Sequence, residues 1–236
     1  MKLSVNDIRA GYGAGADVLH GVSLVVEDNS AVGLIGANGA GKSTLLKVIS
    51  GFLKPRGGDI SIDDAPCADL APHRLAERGV GYLMEGHSIF PGLTVEENLL
   101  LGTWSFREDR PRVKTAVEVA YAASPILAQK RRVRAGLLSG GQQRLLEIER
   151  LALIRPSLII LDEPSLGLAP KLVREVYERI AGLRRSGSTI LIVDQSARQI
   201  CAVCDQVHVM RLGRIHMSGT AAEFGGCIED VVREFI

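Results

Sequence analysis

The chain has 236 residues, of which 46% are hydrophobic, and this is enough to bury a full core in one or two domains. Its 28 Lys and Arg residues almost balance its 27 Asp and Glu residues, so the formal charge of +1 argues against nucleic acid as the main partner. The longest apolar runs, such as residues 158–161, fall far short of the roughly 20 residues that cross a bilayer, so membrane contact is expected only through partner proteins.

The predicted elements begin with two strands. Residues 2–10 and 18–26 alternate apolar and polar side chains, as half-buried strands do, and a Gly-rich turn joins them. The first ten residues lack the basic end and apolar run of a secretory signal, so no signal peptide is expected. An apolar run at 31–35 then enters a Gly-rich loop, and residues 42–50 are predicted to form a helix. This order of strand, loop and helix is the context that a phosphate-binding loop requires.

Three later apolar runs predict further strands, at residues 80–84, 158–161 and 189–193. Because helical segments separate these strands, a largely parallel sheet covered on both faces is expected. A late hairpin is predicted for residues 207–217, with its turn at Gly213. The predicted fold class is therefore α/β, with a mainly parallel sheet core and an antiparallel strand region near the N-terminus.

The stretch between Gly86 and Pro156 has no strand pattern. Helices are predicted there at residues 95–101, 113–122 and 140–153. We therefore expect residues 1–236 to form one domain, in which a helical subdomain (86–156) is inserted into a core made of residues 1–85 and 157–236.

Two side features of the sequence have plain structural explanations. Cysteines at positions 67, 201, 204 and 227 are scattered, which fits a reducing compartment better than a disulfide framework. The spacing of Cys201 and Cys204 predicts a core-facing helix, whereas redox or metal chemistry is the alternative, for which no second Cys or His pair completes a zinc site. A basic cluster comprises Lys130, Arg131, Arg132 and Arg134. A solvent-exposed helix face explains this cluster, and contact with lipid headgroups or with a partner protein is the alternative explanation.

The loop from Gly36 to Ser43 is the first candidate for chemistry. Glycines allow backbone N–H groups to turn toward phosphate oxygens, and the following helix adds its positive end. Lys42 is placed to neutralise the β- and γ-phosphates of a nucleotide, and Ser43 offers a hydroxyl to Mg²⁺. The predicted nucleotide-binding residues of this loop are Gly36, Asn38, Gly39, Ala40, Gly41, Lys42, Ser43 and Thr44.

An acidic pair follows the predicted strand at 158–161. Asp162 is expected to hold Mg²⁺ together with Ser43, and Glu163 is expected to orient or deprotonate an attacking water. The purely structural alternative is that such a pair only caps a helix before Pro164. The phosphate loop upstream favours the catalytic interpretation.

A third sequence, Leu138-Ser139-Gly140-Gly141-Gln142, is predicted to begin a helix with Ser139 as its N-cap. Combined with the phosphate loop and the acidic pair, it resembles the signature of ATP-binding cassette (ABC) ATPases, and we call residues 138–142 the signature sequence. The resemblance implies a P-loop NTPase fold and the cofactors ATP and Mg²⁺. It also implies that Ser139, Gly140, Gly141 and Gln142 act in trans, on ATP held by another subunit. Tyr12 matches the aromatic residue that stacks on adenine in this family, and residues 165–170 match a loop that lines the subunit interface.

Two departures narrow the resemblance. Glu85 stands where most ABC ATPases have Gln, and Gln195 stands where most have His. With residues 94–99 and 164–170, these changes resemble one of the two ATPase subunits of branched-chain amino acid importers, and the subunits of urea and short-amide importers are similar. The resemblance adds Glu85 and Gln195 to the catalytic set and places Glu85 near the metal. Because an amide does not titrate near neutral pH, Glu163 is the better candidate for the base.

The signature helix carries a further departure. Glu147 and Glu149 stand where this family usually has small residues. Close packing there requires Arg144 or Arg150 to pair with them at helical spacing.

The function implied is that of an ATPase that hydrolyses MgATP to power a membrane importer for branched-chain or related amino acids. The implied partners are a second ATPase subunit, identical or related, two permease subunits and, indirectly, a substrate-binding protein, at the cytoplasmic face of the membrane. One rival is a non-transport ABC ATPase acting on DNA or ribosomes, which would carry long coiled-coil insertions or a second cassette. Another rival is a small-molecule kinase, which would leave the signature sequence without a purpose.

Overall fold

The structure is a computed structural model that describes residues 1–86 and 88–225. Its strands are β1 (Leu3–Ala10), β2 (Leu19–Val26), β3 (Ala31–Ile35), β4 (Gly57–Ile62), β5 (Ala65–Pro66), β6 (Val80–Leu83), β7 (Leu158–Asp162), β8 (Thr189–Val193), β9 (Gln206–Arg211) and β10 (Arg214–Thr220). Its helices are α1 (Lys42–Ile49), α2 (Pro72–Glu77), α3 (Val95–Gly102), α4 (Arg110–Ala123), α5 (Pro125–Gln129), α6 (Gly140–Ala152), α7 (Pro170–Arg185) and α8 (Ala197–Val203). Short 3-10 helices lie at Trp104–Phe106 and Ala135–Leu137.

The strands form two sheets. The larger sheet has the order β10-β9-β3-β8-β7-β6, in which neighbours from β9 to β6 are parallel and β10 is an antiparallel edge strand. The smaller sheet has the order β2-β1-β4-β5 and is antiparallel throughout. The expected α/β fold with a mainly parallel core and an N-terminal antiparallel region is therefore confirmed.

The central strands of the larger sheet supply two separate cores. Since successive side chains of a strand point to opposite faces, Leu158 and Ile160 of β7 enter one core whereas Ile159 and Leu161 enter the other. The first core lies toward β1, β2, β4 and α1, and the second lies toward the helices after β6. Burial on both faces explains why the sequence of β7 is continuously apolar.

The strands β4 and β5, the helices α2 and α5 and the two 3-10 helices were not predicted from the sequence. Strand β4 begins with Gly57 and Gly58 and alternates only over its last residues, so its apolar pattern is too short to mark a strand. Helix α2 has six residues and buries only Leu75 in its apolar face, so it lacks the repeating stripe that indicates a helix. These short elements depend on the surrounding packing.

The stretch between β6 and β7 is helical in its described residues, and it contains α3 to α6. Helix α3 begins with a capping box in which Thr94 and Glu97 each bond to the other's backbone N–H. An isolated antiparallel bridge joins Thr94 to Arg134. Arg131, Arg132 and Arg134 of the basic cluster are exposed, and Arg131 lies 3.4 Å from Glu96.

Three of the four cysteines lie among the described residues. Cys204 is buried in the second core, Cys201 packs against that core from the side, and Cys227 lies outside the described residues. Over residues 1–86 and 88–225, His, Cys, Asp and Glu side chains form no group of three or more that could hold a metal. Across those same residues, the helices are all too short or too polar to cross a bilayer.

Candidate functional site

The phosphate loop connects the end of β3 to the start of α1. Gly41, the residue before α1, has a φ of 103°, a left-handed conformation that favours glycine. At Gly36, a Cβ atom would lie 2.2 Å from the carbonyl oxygen of Met210 in β9. Glycine at these positions therefore lets the loop pass close to the sheet and still turn into the helix.

Lys42 is held inside the loop by the loop itself. Its Nζ donates hydrogen bonds to the carbonyl oxygens of Gly36 at 2.7 Å and Ala37 at 3.0 Å. Burial lowers the pKa of the Lys42 ammonium, and the nearby carboxylates of Glu163 and Asp162 oppose this shift. The cation is therefore held by two backbone carbonyl groups and lies close to two acidic groups.

Asp162 ends β7 directly across from the phosphate loop. Its Oδ1 accepts a hydrogen bond from Ser43 Oγ at 3.1 Å, and its Oδ2 accepts one from Tyr82 Oη at 3.3 Å. Burial raises the pKa of Asp162, while the hydrogen bond from Ser43 opposes the rise. Tyr82 was not predicted as a site residue. It reaches the site because β6 is the parallel neighbour of β7, a pairing that local sequence does not reveal.

Glu163 and Gln195 are in direct contact. The Gln195 Nε2 donates to both carboxylate oxygens of Glu163, at 3.2 and 3.1 Å, and to Asn38 Oδ1 at 3.1 Å. Glu163 has a φ of 45°, and its backbone N–H donates to the carbonyl oxygen of Val193 at 2.8 Å. The Gln195 amide thus connects Asn38 of the phosphate loop to the carboxylate of Glu163.

One cavity of about 370 Å³ collects most of the predicted residues. It is lined by Val18, Asn38, Gly39, Gly41, Lys42, Ser43, Thr44, Glu85, Glu163, Leu166 and Gln195. Gly36 and Ala40 belong to the same loop behind this lining, and Asp162 contacts Ser43 from below. Glu85 is an exposed member of the wall, directly after β6.

Tyr12 lies beside the loop rather than in the cavity lining. Its hydroxyl is 3.3 Å from Thr44 Oγ1, and Lys47 Nζ lies 5.6 Å from its ring centroid. The side chain is 50% exposed, so a ring face is available to a flat ligand. Its position next to the start of α1 is suited to the base of a nucleotide whose phosphates occupy the loop.

The signature sequence lies outside the lining of this cavity. Ser139 and Gly140 are exposed at the start of α6, and Gln142 Oε1 accepts hydrogen bonds from Ser139 N at 3.3 Å and Lys130 Nζ at 2.9 Å. Gly141 is different, because a Cβ atom there would lie 2.3 Å from Leu172 Cδ1 of α7. The structure therefore does not bring Ser139, Gly140, Gly141 and Gln142 to the lining of this cavity in the same chain.

The two glutamates of α6 are both paired. Glu147 is 1% exposed and accepts from Arg144 Nη1 at 2.9 Å, the pairing that helical spacing predicted. Glu149 is instead paired by Arg179 of α7, at 2.6 and 2.8 Å, so the expectation that Arg144 or Arg150 would compensate Glu149 is wrong. Arg144 lies five residues before Glu149 and Arg150 directly follows it, so neither has the i,i+3 or i,i+4 spacing that brings two side chains together on a helix.

Arg150 and the loop after Glu163 complete the surroundings. Arg150 Nη2 donates to Ser88, to the carbonyl oxygen at 2.7 Å and to Oγ at 2.9 Å. The Ser165 hydroxyl donates to Asp194 Oδ2 at 2.7 Å, which fixes the start of the 165–170 loop beside Gln195. The loop that the sequence assigned to a subunit interface thus begins at the cavity and ends at α7.

Comparisons with known proteins agree with this geometry. The family model for ABC transporters matches residues 19–166. The chain is 38% identical to the high-affinity branched-chain amino acid transport ATP-binding protein BraG of Pseudomonas aeruginosa, over 93% of each chain. It is 33% identical to a probable branched-chain amino acid transport ATP-binding protein, LivF, of Archaeoglobus fulgidus, over 92% of this chain and 91% of the relative. It is also 36% identical to the lipopolysaccharide export ATP-binding protein LptB of Haemophilus influenzae, over 86% and 84%.

Solved structures give the same result. The crystal structure of a nucleotide-free ATP-binding cassette from an ABC transporter superposes with a TM-score of 0.85 at 28% identity, covering 99% of this chain and 96% of that one. The ADP conformation of an ATP-binding cassette superposes with a TM-score of 0.83 at 30% identity, with the same coverage. Fold, cavity and relatives together place this chain in the ABC transporter family, as an ATP-binding subunit that hydrolyses ATP.

Proposed function

We propose that this ATPase powers a membrane importer for branched-chain or related amino acids. The observation that carries the proposal is the likeness to BraG and LivF over more than nine-tenths of the chain, together with Glu85 and Gln195 at the cavity wall. The likeness to LptB makes lipopolysaccharide export the second candidate, and urea or short-amide import remains a third.

In this proposal, the nucleotide lies along the phosphate loop. Lys42 exchanges its carbonyl partners Gly36 and Ala37 for phosphate oxygens, which are stronger acceptors for an ammonium. Backbone N–H groups of residues 36–44 and the positive end of α1 bind the same phosphates. The Tyr12 ring stacks on the adenine.

The residues present fit Mg²⁺, because a hydroxyl and a carboxylate oxygen already lie 3.1 Å apart at Ser43 and Asp162. Such hard oxygen donors suit this ion, which Ser43 and Asp162 would hold together with water and phosphate oxygens. When bound, the ion would neutralise charge that develops on the phosphates during transfer. Glu85 faces the same space and acts there through water or the ion.

Glu163 is the proposed base, and Gln195 orients it. The attacking water gives a proton to the Glu163 carboxylate, while the Gln195 amide fixes the direction of that carboxylate. Gln195 cannot accept this proton itself near neutral pH. Only after the chain has paired with a second ATPase subunit is the site complete, because Ser139 to Gln142 lie away from the cavity of their own chain and act on the partner's ATP.

A groove next to the helical subdomain (86–156) is the proposed contact with the permease. It has a volume of about 370 Å³ and is lined by Tyr82, Leu83, Ser88, Phe90, Leu101, Gly102, Trp104, Glu147, Arg150, Leu151 and Ile154. Trp104 is 64% exposed and Phe90 is 50% exposed, which is typical of an apolar patch that meets another protein. Through this contact the chain is held at the cytoplasmic face of the membrane.

Uptake in cells tests the proposal. A strain lacking this gene is complemented with the wild-type chain or with Glu163→Gln, and uptake of radiolabelled leucine, urea and an unrelated solute is measured. We expect wild type alone to restore leucine uptake. Restored urea uptake with no leucine uptake, or a defect confined to surface lipopolysaccharide, would replace the proposed solute with the corresponding alternative.

A further inference from the structure

We propose that Arg144 is a positioning residue that holds the catalytic end of β7 and the loop around Glu85 against the signature helix α6. This inference rests on the proposed role of Glu163 as the base. It adds a physical link within one chain between the residues that act on its own ATP and the helix that acts on the partner's ATP.

The first half of the link is the set of contacts from Arg144 to the end of β7. Its Nη2 donates to the carbonyl oxygens of Asp162 at 2.9 Å and Glu163 at 3.1 Å, and its Nε donates to that of Pro164 at 3.2 Å. These carbonyls bracket the residue whose φ of 45° is costly for a side chain other than glycine. The guanidinium therefore stabilises the backbone conformation that points Glu163 into the cavity.

The second half of the link reaches the loop after β6. The Nη1 of Arg144 donates at 3.1 Å to the carbonyl oxygens of Met84 and of Gly86, the residues on either side of Glu85. The same nitrogen donates to Glu147, which in turn accepts from the backbone N–H of Ser88. One side chain thus fixes the chain before and after Glu85.

The geometry of the side chain is essential to this role. A guanidinium is a planar fork with five N–H donors, whereas the ammonium of lysine presents three donors on one atom. The fork serves the two segments through separate nitrogens, with Nε and Nη2 on the end of β7 and Nη1 on the loop around Glu85. Arg144 is 4% exposed, so these bonds are shielded from water.

The ion pair between Arg179 of α7 and the buried Glu149 of α6 provides a control. Arg179 donates through Nε and Nη2 to Glu149, which is 0% exposed, whereas the carbonyl groups at the end of β7 and beside Glu85 accept from Arg144. Loss of either arginine removes a cation that pairs with a buried carboxylate, and both variants should therefore lose stability. Only the loss of Arg144 should move the catalytic residues.

The experiment measures kcat and KM for MgATP, together with Tm, for the full chain carrying Arg144→Gln, Arg144→Lys or Arg179→Gln. We expect both Arg144 variants to lower kcat by about 10- to 100-fold, because a small displacement of catalytic groups is costly, with KM changed by less than about threefold. Arg179→Gln should lower Tm by a similar amount and keep kcat close to wild type. Arg144 variants that lower Tm as Arg179→Gln does, but keep kcat close to wild type, would overturn the inference.

A double variant separates positioning from stability. Arg144→Gln with Glu147→Gln removes both charges of this ion pair, so Tm should rise relative to Arg144→Gln alone. We expect kcat to remain low, since the carbonyl contacts are still missing. Recovery of kcat together with Tm would show that Arg144 is only a core residue. Normal turnover by Glu163→Gln would instead refute the proposed base, whatever Arg144 does.

Discussion

Gln195 donates its side-chain amide to both carboxylate oxygens of Glu163, at 3.2 and 3.1 Å. The same amide donates to Asn38 in the phosphate loop, so hydrogen bonds within the protein fix the two catalytic candidates relative to this loop. An uncharged donor in this position orients the carboxylate and has no proton to lose near neutral pH. The arrangement leads to separate predictions for the two residues.

Replacement of Glu163 by Gln removes the base and keeps the shape of the side chain. We expect ATP binding to remain, with kcat reduced by about a hundredfold or more, because a positioned base contributes at this level. Equilibrium binding of a fluorescent ATP analogue and steady-state hydrolysis measure the two effects. Hydrolysis within a few-fold of wild type would show that another group takes the proton.

Replacement of Gln195 tests whether the amide orients Glu163. Gln195→Ala should lower kcat by about tenfold with little change in KM, because it affects the direction of the base and not the bulk of ATP binding. Gln195→Glu should be more damaging, since a second carboxylate beside Glu163 repels it and the phosphates. Equal activity of the Ala and Glu variants would contradict this explanation.

Ser139→Arg tests action in trans. Ser139 is exposed and lies outside the cavity of its own chain, so a large cation there should disturb the ATP site of the opposite subunit. The measurement uses mixed dimers in which one chain carries Ser139→Arg and one chain carries Lys42→Ala, on the same or on opposite chains. With both changes on one chain, Lys42→Ala damages the ATP site of that chain and Ser139→Arg damages the ATP site of the other chain, so neither site is intact. With the changes on opposite chains, we expect one site to stay intact and activity to be higher; equal activity would argue against exchange of signature sequences between chains.

The two glycines of the signature sequence should differ in their effect on stability. A Cβ atom at Gly141 meets Leu172 at 2.3 Å, so Gly141→Ala should lower the free energy of unfolding by about 1–3 kcal/mol, as overpacking does. A Cβ atom at Gly140 meets nothing within 4 Å, so Gly140→Ala should leave stability unchanged or slightly raised. Denaturant unfolding checks this contrast, and Leu172→Ala should partly rescue Gly141→Ala.

His208 should make the fold sensitive to acid. It is 7% exposed, its Nδ1 lies 2.7 Å from Ser218 Oγ, and burial lowers its pKa below the ordinary value of 6.5. As the pH falls below about 6.5, His208 therefore binds a proton in the unfolded chain before it does so in the folded chain. The stability that neutral His208 contributes is present above this pH and is lost as the pH falls below it. Relative to His208→Asn, wild type should lose up to about 1.4 kcal/mol per pH unit as the pH falls below about 6.5. Parallel stability curves for the two proteins would contradict the prediction.

The phosphate loop, the acidic pair and the signature sequence could be found without a structure, because each depends on residues that are adjacent along the chain. The strand before the loop and the helix after it were also predictable, since a continuous apolar run and a helical stripe are local patterns. The same local information located β7 and β8. What it missed were short elements such as α2, which few apolar contacts define.

The sequence by itself determined the family, the loop that receives phosphate and the identity of the carboxylates, since these are properties of contiguous motifs. Tertiary structure alone decided that Tyr82 reaches Asp162, that Gln195 holds Glu163, and that Arg144 joins the signature helix to both catalytic segments. These contacts join residues 18 to 80 positions apart in the chain. Only the order of strands in the parallel sheet and the packing of α6 against its edge bring such residues within hydrogen-bonding distance.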